Sequence, residues 1–161
     1  MDVNGYEIEP GAILSNANLS GADLCGVYLT DANLSGANLT SADLWRTNLT
    51  DANLSGANLA NANLSAAKLF GAILSHANLT GANLYGADLS AAVLTNANLT
   101  DAKLFGANLA NANLSDANLS NADLTGANLF GARLFGSNLT GAQLTYADLT
   151  NATMPDGTIH G

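Results

Sequence analysis

Leucine recurs at every fifth position from Leu14 to Leu149, which gives 28 leucines without a break or an insertion. Alanine stands two residues before each leucine, and the only exceptions are Val27, Thr47 and Ser137. The frame therefore reads Ala, Asn or Asp, Leu, Ser or Thr, and a small residue. This repeat constrains the fold more than any other feature, because a repeat of fixed length places every copy in a similar environment.

A spacing of five residues suits neither a helix nor a straight strand. On an α-helix, successive leucines would step by ~140° and would cover every face instead of forming a stripe. On a straight strand, an odd spacing would place alternate leucines on opposite sides. The leucines share one environment only if the chain bends once per repeat, and the recurring Asn, Asp, Ser and Gly are residues that favour turns.

A column of asparagines indicates how many bends close one coil. One asparagine recurs every 20 residues without interruption, which predicts four segments per coil and a ladder of hydrogen-bonded amides. The members of this predicted ladder are Asn18, Asn38, Asn58, Asn78, Asn98, Asn118 and Asn138. The 28 repeats would then form about seven coils, with the leucines and alanines inside. One column of the predicted core is Leu14, Leu34, Leu54, Leu74, Leu94, Leu114 and Leu134.

With this frame, residues 12–152 resemble the pentapeptide-repeat family, whose consensus is A(D/N)LXX. The tail 154–160 is similar to endings of cyanobacterial members. The resemblance implies an all-β fold, a right-handed quadrilateral β-helix, also called a pentapeptide-repeat solenoid. We expect residues 1–11 to form an N-terminal cap. Residues 153–161 would form a C-terminal cap or tail in which Met154 and Ile159 keep the leucine register.

Charge and cysteine content narrow the function classes. The net charge of −9 argues against direct nucleic-acid binding, which requires clustered Lys and Arg. Cys25 is the only cysteine, so neither an intramolecular disulfide nor a cysteine-based metal site is expected. The N-terminus lacks the basic start and apolar run of a signal peptide, and no stretch is long enough to span a membrane. We therefore expect a cytoplasmic protein.

No constellation of residues predicts catalysis. His76 and His160 have no second histidine or cysteine at ligand spacing, and Cys25 has no nearby base. The pairs Asp23–Asp43 and Asp31–Asp51 stack in outward columns. They are interpreted as solvated acidic patches, with a weak cation site as the alternative. A convex rod without inserted loops offers no concave pocket, so we expect no catalytic, cofactor or metal site.

Outward aromatic residues are the main departures from the small polar consensus. We name the four sides by their first leucines: Leu14 begins side one, Leu19 side two, Leu24 side three and Leu29 side four. Side two carries no large apolar residue, whereas the other sides carry a candidate interaction surface. That surface is Trp45, Phe70, Tyr85, Phe105, Phe130 and Phe135. The alternative interpretation is that these aromatics only stabilise neighbouring coils by stacking.

These observations favour a non-catalytic structural or protein-interaction scaffold that binds an unidentified protein as a monomer or weak homodimer. The resemblance offers an alternative, because some family members modulate DNA gyrase by mimicking duplex DNA in size and charge. A remote alternative is an ice-binding surface on side two, where hydroxyl side chains run beside the asparagine column. Ala60 interrupts that hydroxyl column, which comprises Ser20, Thr40, Thr80, Thr100, Ser120 and Thr140.

Overall fold

Each five-residue repeat folds as a short extended segment followed by a tight turn. The computed structural model describes residues 1–161 and contains no helix. At each bend the leucine carbonyl accepts a hydrogen bond from the N–H three residues on, as from Ala37 to Leu34 at 3.0 Å. The third turn residue is left-handed, with φ of +65° at Gly36 and +56° at Asp51. Positive φ at that position is typical of type II turns and explains the preference for Gly, Asn and Asp.

Successive coils are held together by parallel backbone pairing. Every parallel bridge joins residues 20 apart, as in Asn18 with Asn38 and Asn38 with Asn58. Leu34 N–H donates to the Asn53 carbonyl at 2.7 Å, and Asn53 N–H donates to the Ala32 carbonyl at 2.9 Å. The predicted period of 20 residues, with four segments per coil, is confirmed. The bridges run from Ile13 to Thr153, which is seven coil steps.

The interior is a single cluster of leucine and alanine, to which Ile8 of the N-terminal segment adds. It contains 49 buried residues, and its leucines from Leu14 to Leu134 are at most 2% exposed. Thr47 and Ser137 occupy alanine positions and are the only buried polar residues. Since every side contributes the same two residue types, the interior does not distinguish one side from another.

A small hairpin covers the N-terminal end of the coil. Strands β1 (Asp2–Val3) and β2 (Tyr6–Glu7) pair antiparallel, and Ile8 behind them is buried against the first coil. The Tyr6 hydroxyl accepts a hydrogen bond from Asn18 N–H at 3.2 Å. These contacts join the N-terminal hairpin to the first coil.

The C-terminal end is covered less completely. Thr153 pairs antiparallel with Ile159, so the chain reverses there instead of beginning another coil. Ile159 pairs with Thr153 instead of entering the interior, and it is 63% exposed. The reversal occurs at Asp156 and Gly157. The φ of Gly157 is +86°, and the Asp156 carboxylate accepts a hydrogen bond from the Thr158 N–H. The structure has no helix with the length and hydropathy of a transmembrane span.

Candidate interaction surface

On side three, the residue directly after the leucine is aromatic in three coils, as Trp45, Tyr85 and Phe105. Tyr85 and Phe105 lie one coil apart, and their rings stack with centroids 5.5 Å apart and planes within 2°. Both side chains remain about half exposed. Stacking between coils therefore accounts for this one pair while leaving its outer surface open to solvent.

Trp45 lies in the same column, but it does not join that stack. Ser65 occupies the coil between Trp45 and Tyr85, and Trp45 is 45% exposed. Its contact is instead with Arg46, whose guanidinium carbon lies 5.2 Å from the ring centroid. Arg46 is left-handed, with φ of +56°, at a turn position where most repeats have Gly, Asn or Asp. A left-handed backbone costs a residue with a side chain about 1–2 kcal/mol.

The aromatics on side four have no aromatic partners. Phe70 and Phe130 share one column, but the two coils between them carry Ser90 and Ala110. Phe70 is 49% exposed and Phe130 is 42% exposed. Stacking between coils therefore does not explain their presence on the outside of the rod.

Phe135, at the C-terminal end of side one, lies in a different environment. Two of its ring carbons lie 3.5 Å from the position that a side chain would take at Gly157. Its ring thus packs beside the C-terminal turn while remaining more than half exposed. Of the six aromatics in the candidate surface, Phe135 is the one with a local packing role against a chain end.

A shallow cleft opens at the corner between sides three and four. Its volume is about 330 Å³, and it is the only pocket in the structure. This concavity is absent from the sequence expectation of a purely convex rod. We call it the corner cleft, and its lining residues are Cys25, Gly26, Tyr28, Trp45, Arg46, Ala66 and Lys68.

The corner cleft lies where the turns have little side-chain cover. At other corners, wherever Asn or Asp stands 20 positions before a glycine, its side chain lies over that glycine, as Asn61 lies over Gly81 with its Oδ1 2.7 Å from a would-be Cβ. Nothing lies within 4 Å of that position at Gly26 or Gly86. The cover of a corner glycine by an Asn or Asp side chain was not predicted from the sequence. Its signal in the sequence is an Asn or Asp at a turn position with a Gly 20 positions later.

Cys25 lies on the wall of the corner cleft as an exposed thiol. Desolvation by neighbouring atoms, followed by hydrogen bonds to Asp23 and Asp43, raises the pKa of Cys25 to about 12. The backbone N–H of Cys25 in turn lowers the pKa of Asp23, since it donates to that carboxylate at 3.1 Å. The raised pKa lowers the thiolate fraction of Cys25 near neutral pH, which makes it a weaker nucleophile than an ordinary thiol.

The asparagine column of side two forms an interrupted ladder. Amide-to-amide hydrogen bonds join Asn38 to Asn18 at 3.3 Å, and equivalent bonds occur at two other steps. Asn118 instead donates to the Thr100 hydroxyl at 3.0 Å. Most threonine hydroxyls of this side donate to the asparagine of their own turn, as Thr40 does to Asn38 at 2.7 Å. The side-two hydroxyls are thus largely engaged within the rod.

The remaining titratable residues are dispersed. No group of three His, Cys, Asp or Glu side chains lies close enough together to hold a metal ion. The backbones of Asp23 and Asp43 form a parallel bridge between adjacent coils. His76 occupies an outward turn position with φ of +59°. His160 lies in the C-terminal tail, where its backbone pairs with Asn151 and Ala152. The structure thus places neither histidine beside Cys25.

Comparison with known proteins identifies similar chains. The profile described as pentapeptide repeats matches segments between residues 11 and 156, at 11–46, 47–84, 72–109, 82–121, 102–141 and 117–156. No curated protein sequence matches the chain significantly.

Three solved structures illustrate the likeness. HetL from the cyanobacterium Nostoc sp. strain PCC 7120, a pentapeptide repeat protein involved in heterocyst differentiation regulation, is 43% identical, with 93% of this chain and 73% of HetL covered at a TM-score of 0.50. Alr5209, a pentapeptide repeat protein from Nostoc PCC 7120, is 40% identical, with 63% and 83% covered at a TM-score of 0.54. Trypsin-treated QnrB1, a plasmid-mediated fluoroquinolone resistance protein, is 22% identical, with 84% and 69% covered at a TM-score of 0.79. The likeness to QnrB1 concerns the fold alone.

Proposed function

The chain belongs to the pentapeptide repeat family, and from this premise we propose that it is a non-catalytic scaffold that binds a protein partner. Family membership implies the right-handed winding of the coil. The contact surface in this proposal is the aromatic column of side three together with Phe70 and Phe130 on side four. A cytoplasmic location, no cofactor, and a monomeric or weakly dimeric state belong to the same proposal.

The observation that carries this proposal is the exposure of aromatic side chains without aromatic partners. If the aromatics served only to join coils, each should lie above another, as Tyr85 and Phe105 do. Trp45, Phe70 and Phe130 instead have small residues, namely Cys, Ser, Thr or Ala, in the neighbouring coils. Exposed Trp, Tyr and Phe on a rigid surface are the residue types that contribute most to protein interfaces.

The architecture suits a binding role. The regular backbone ladder and the buried interior leave the outward residues free to vary, and they also hold those residues in fixed positions. HetL, at 43% identity, is described as involved in regulation, and that description also agrees with a binding protein. The proposal extends only to the kind of activity and not to the process that HetL serves.

A capture experiment with matched variants tests the proposal. Tagged wild type, Trp45→Ser/Phe105→Ser and Thr40→Ser/Thr100→Ser would be used to capture proteins from the native cell. The threonine variant changes the same turn position of the same coils on side two. We expect a protein that is retained by wild type and the threonine variant and lost with the aromatic variant. All three proteins should have the same far-UV circular dichroism.

Two results would contradict the proposal. Equal capture by all three proteins would mean that the aromatics only stabilise the rod. A mass in light scattering that is dimeric for wild type and monomeric for the aromatic variant, with no captured protein, would make the surface a contact between two copies.

Mimicry of duplex DNA remains the alternative that the net charge of −9 suggests. The nine acidic residues within the repeats fall in five different columns and form no continuous stripe. A supercoiling assay with DNA gyrase and purified protein tests the alternative directly. Supercoiling that is unchanged at micromolar protein would remove it.

A further inference from the structure

We infer that the corner cleft binds a carboxylate group of an acidic peptide segment in the partner protein. This inference deepens the proposed function and rests on it, because it assigns a chemistry to one part of the proposed contact surface. The carboxylate would lie between Arg46 and Lys68, and the apolar part of the segment would contact Trp45 and Tyr28.

The distribution of positive charge is the first argument. The chain has only four Lys and Arg residues against 13 Asp and Glu. Two of those four cations, Arg46 and Lys68, line the only cleft. On a rod that otherwise repels anions, this corner is therefore where an acidic ligand meets the least repulsion and two cationic donors.

The geometry of Arg46 is the second argument. Its guanidinium carbon lies over the Trp45 ring, 5.2 Å from the ring centroid. The N–H donors lie along the edge of that planar group, and a carboxylate can accept two of them side by side. Contact with the ring reduces the side chain's freedom and holds it ready for such a ligand.

The space around Arg46 is the third argument. Its φ of +56° is that of the turn itself and is shared by Ala66 one coil on. Gly26 and Ala66, one coil on either side, have minimal side chains and line the same cleft. A ligand can therefore approach Arg46 without displacing a large side chain from either neighbouring coil.

The surroundings favour a carboxylate over a phosphate. Asp23 and Asp43 lie on the same side of the rod, in the column that precedes the leucines, and pair across adjacent coils. Their negative charges oppose a doubly charged phosphate more strongly than a singly charged carboxylate. The cleft is also open and shallow, which suits a side chain of a larger partner better than an enclosed small molecule.

Trp45 is the only tryptophan, so its fluorescence reports on the corner cleft. The probes are hexaglutamate, hexaglutamine and inorganic phosphate, titrated into purified full-length protein at low ionic strength. We expect hexaglutamate to change the fluorescence saturably, and we expect hexaglutamine to leave it unchanged. Raising the salt to ~0.15 M should weaken hexaglutamate binding, because exposed charges are screened.

Variants assign the binding to the cleft. Arg46→Asn suits the left-handed turn and should weaken hexaglutamate binding about tenfold or more, since it removes a charge-assisted pair. Lys68→Asn restores the common residue of its column and should also weaken binding. Lys103→Asn is the matched control, because Lys103 is an outward cation of side three that does not line the cleft. The control should bind hexaglutamate as wild type does.

Several outcomes would overturn the inference. These are no response to hexaglutamate, an equal response to hexaglutamine, equal weakening by Lys103→Asn, or phosphate binding as tight as hexaglutamate binding. If the cleft fails in this way while Trp45→Ser/Phe105→Ser still loses a captured protein, the proposed function stands and only the acidic ligand is wrong. If capture shows no difference but hexaglutamate binding follows Arg46, the cleft stands and the wider aromatic surface is wrong.

Discussion

Sides two and three of the rod share one interior but have different exteriors. Leu79 on side two and Leu84 on side three are both fully buried in the same cluster. Outside, side two presents asparagine, threonine and serine, whereas side three presents Trp45, Tyr85 and Phe105. The difference teaches that the inward residues determine the coil, and that the outward residues are free to carry function.

The corners that follow these sides differ in the same way. After side two, Asn61 lies over Gly81, and Asn121 lies over Gly141. After side three, nothing lies within 4 Å of a would-be Cβ at Gly106. The side-two corner is thus closed by its own side chains, while the side-three corner is open and includes the corner cleft.

The largest expected effect tests whether the two interiors are equivalent. Leu79→Asp and Leu84→Asp each remove a buried leucine and bury a carboxyl group without a partner, which costs a large part of a domain's usual stability of about 5–15 kcal/mol. We expect both variants to unfold, as measured by far-UV circular dichroism and thermal melting. A soluble variant that melts normally, or a large difference between the two, would refute the shared interior.

A smaller effect is expected at the corner glycines. Gly106→Ala should destabilise the protein by about 1–2 kcal/mol, because alanine must adopt a left-handed backbone. Gly81→Ala should cost a further ~0.5–1.5 kcal/mol, because Asn61 must leave its rotamer. Chemical denaturation measures both, and Asn61→Gly/Gly81→Ala is the control that should abolish the extra loss. Equal losses in the two single variants would mean that the side-two corner is not closed in this way.

The two polar residues of the interior should respond with opposite signs. Thr47 donates to the Leu24 carbonyl at 2.6 Å, so Thr47→Ala should destabilise the protein by about 0.5–1.5 kcal/mol. The Ser137 hydroxyl is buried without a partner, so Ser137→Ala should stabilise it by about 1 kcal/mol. Thermal melting distinguishes the two. Destabilisation by Ser137→Ala would indicate that the hydroxyl has a partner in solution.

The smallest effect concerns reactivity and not stability. With its pKa raised to about 12, Cys25 should react with iodoacetamide at pH 8 roughly one to two orders of magnitude more slowly than an ordinary thiol. Its rate should keep rising with pH beyond 9, because the thiolate fraction still increases. Ser20→Cys/Cys25→Ser places a thiol at the same turn of side two, away from Asp23 and Asp43. If that control reacts as slowly as Cys25, the desolvation and the two aspartates around Cys25 are not the cause.

Much of the fold could be predicted because the repeat is inward and regular. A five-residue leucine spacing admits one bend per repeat, and the period-20 asparagine column correctly indicated which residues stack. The same arithmetic placed Tyr85 above Phe105 in one column. The exposure of Ile159 could not be predicted this way, since its spacing continues the leucine register. The turn at Asp156 and Gly157 instead reverses the chain.

The corner cleft was also beyond prediction from the repeat. Its residues come from three coils and from two sides, and they occupy three different positions of the repeat. The 20-residue period shows which residues lie above one another, but it does not show whether a side chain covers its neighbour or leaves a gap. The contact between Arg46 and Trp45, and the absence of cover over Gly26, depend on how side chains pack at a corner.

The sequence by itself determined the four-sided coil, its register and its leucine and alanine interior, because burial at a fixed period leaves the backbone one arrangement that satisfies every repeat. Only the tertiary structure decided which outward residues stack, which corners are closed, and where a cleft forms. Those outcomes depend on contacts between residues about 20 positions apart at the surface, where solvent competes and the repeat imposes no single side-chain position.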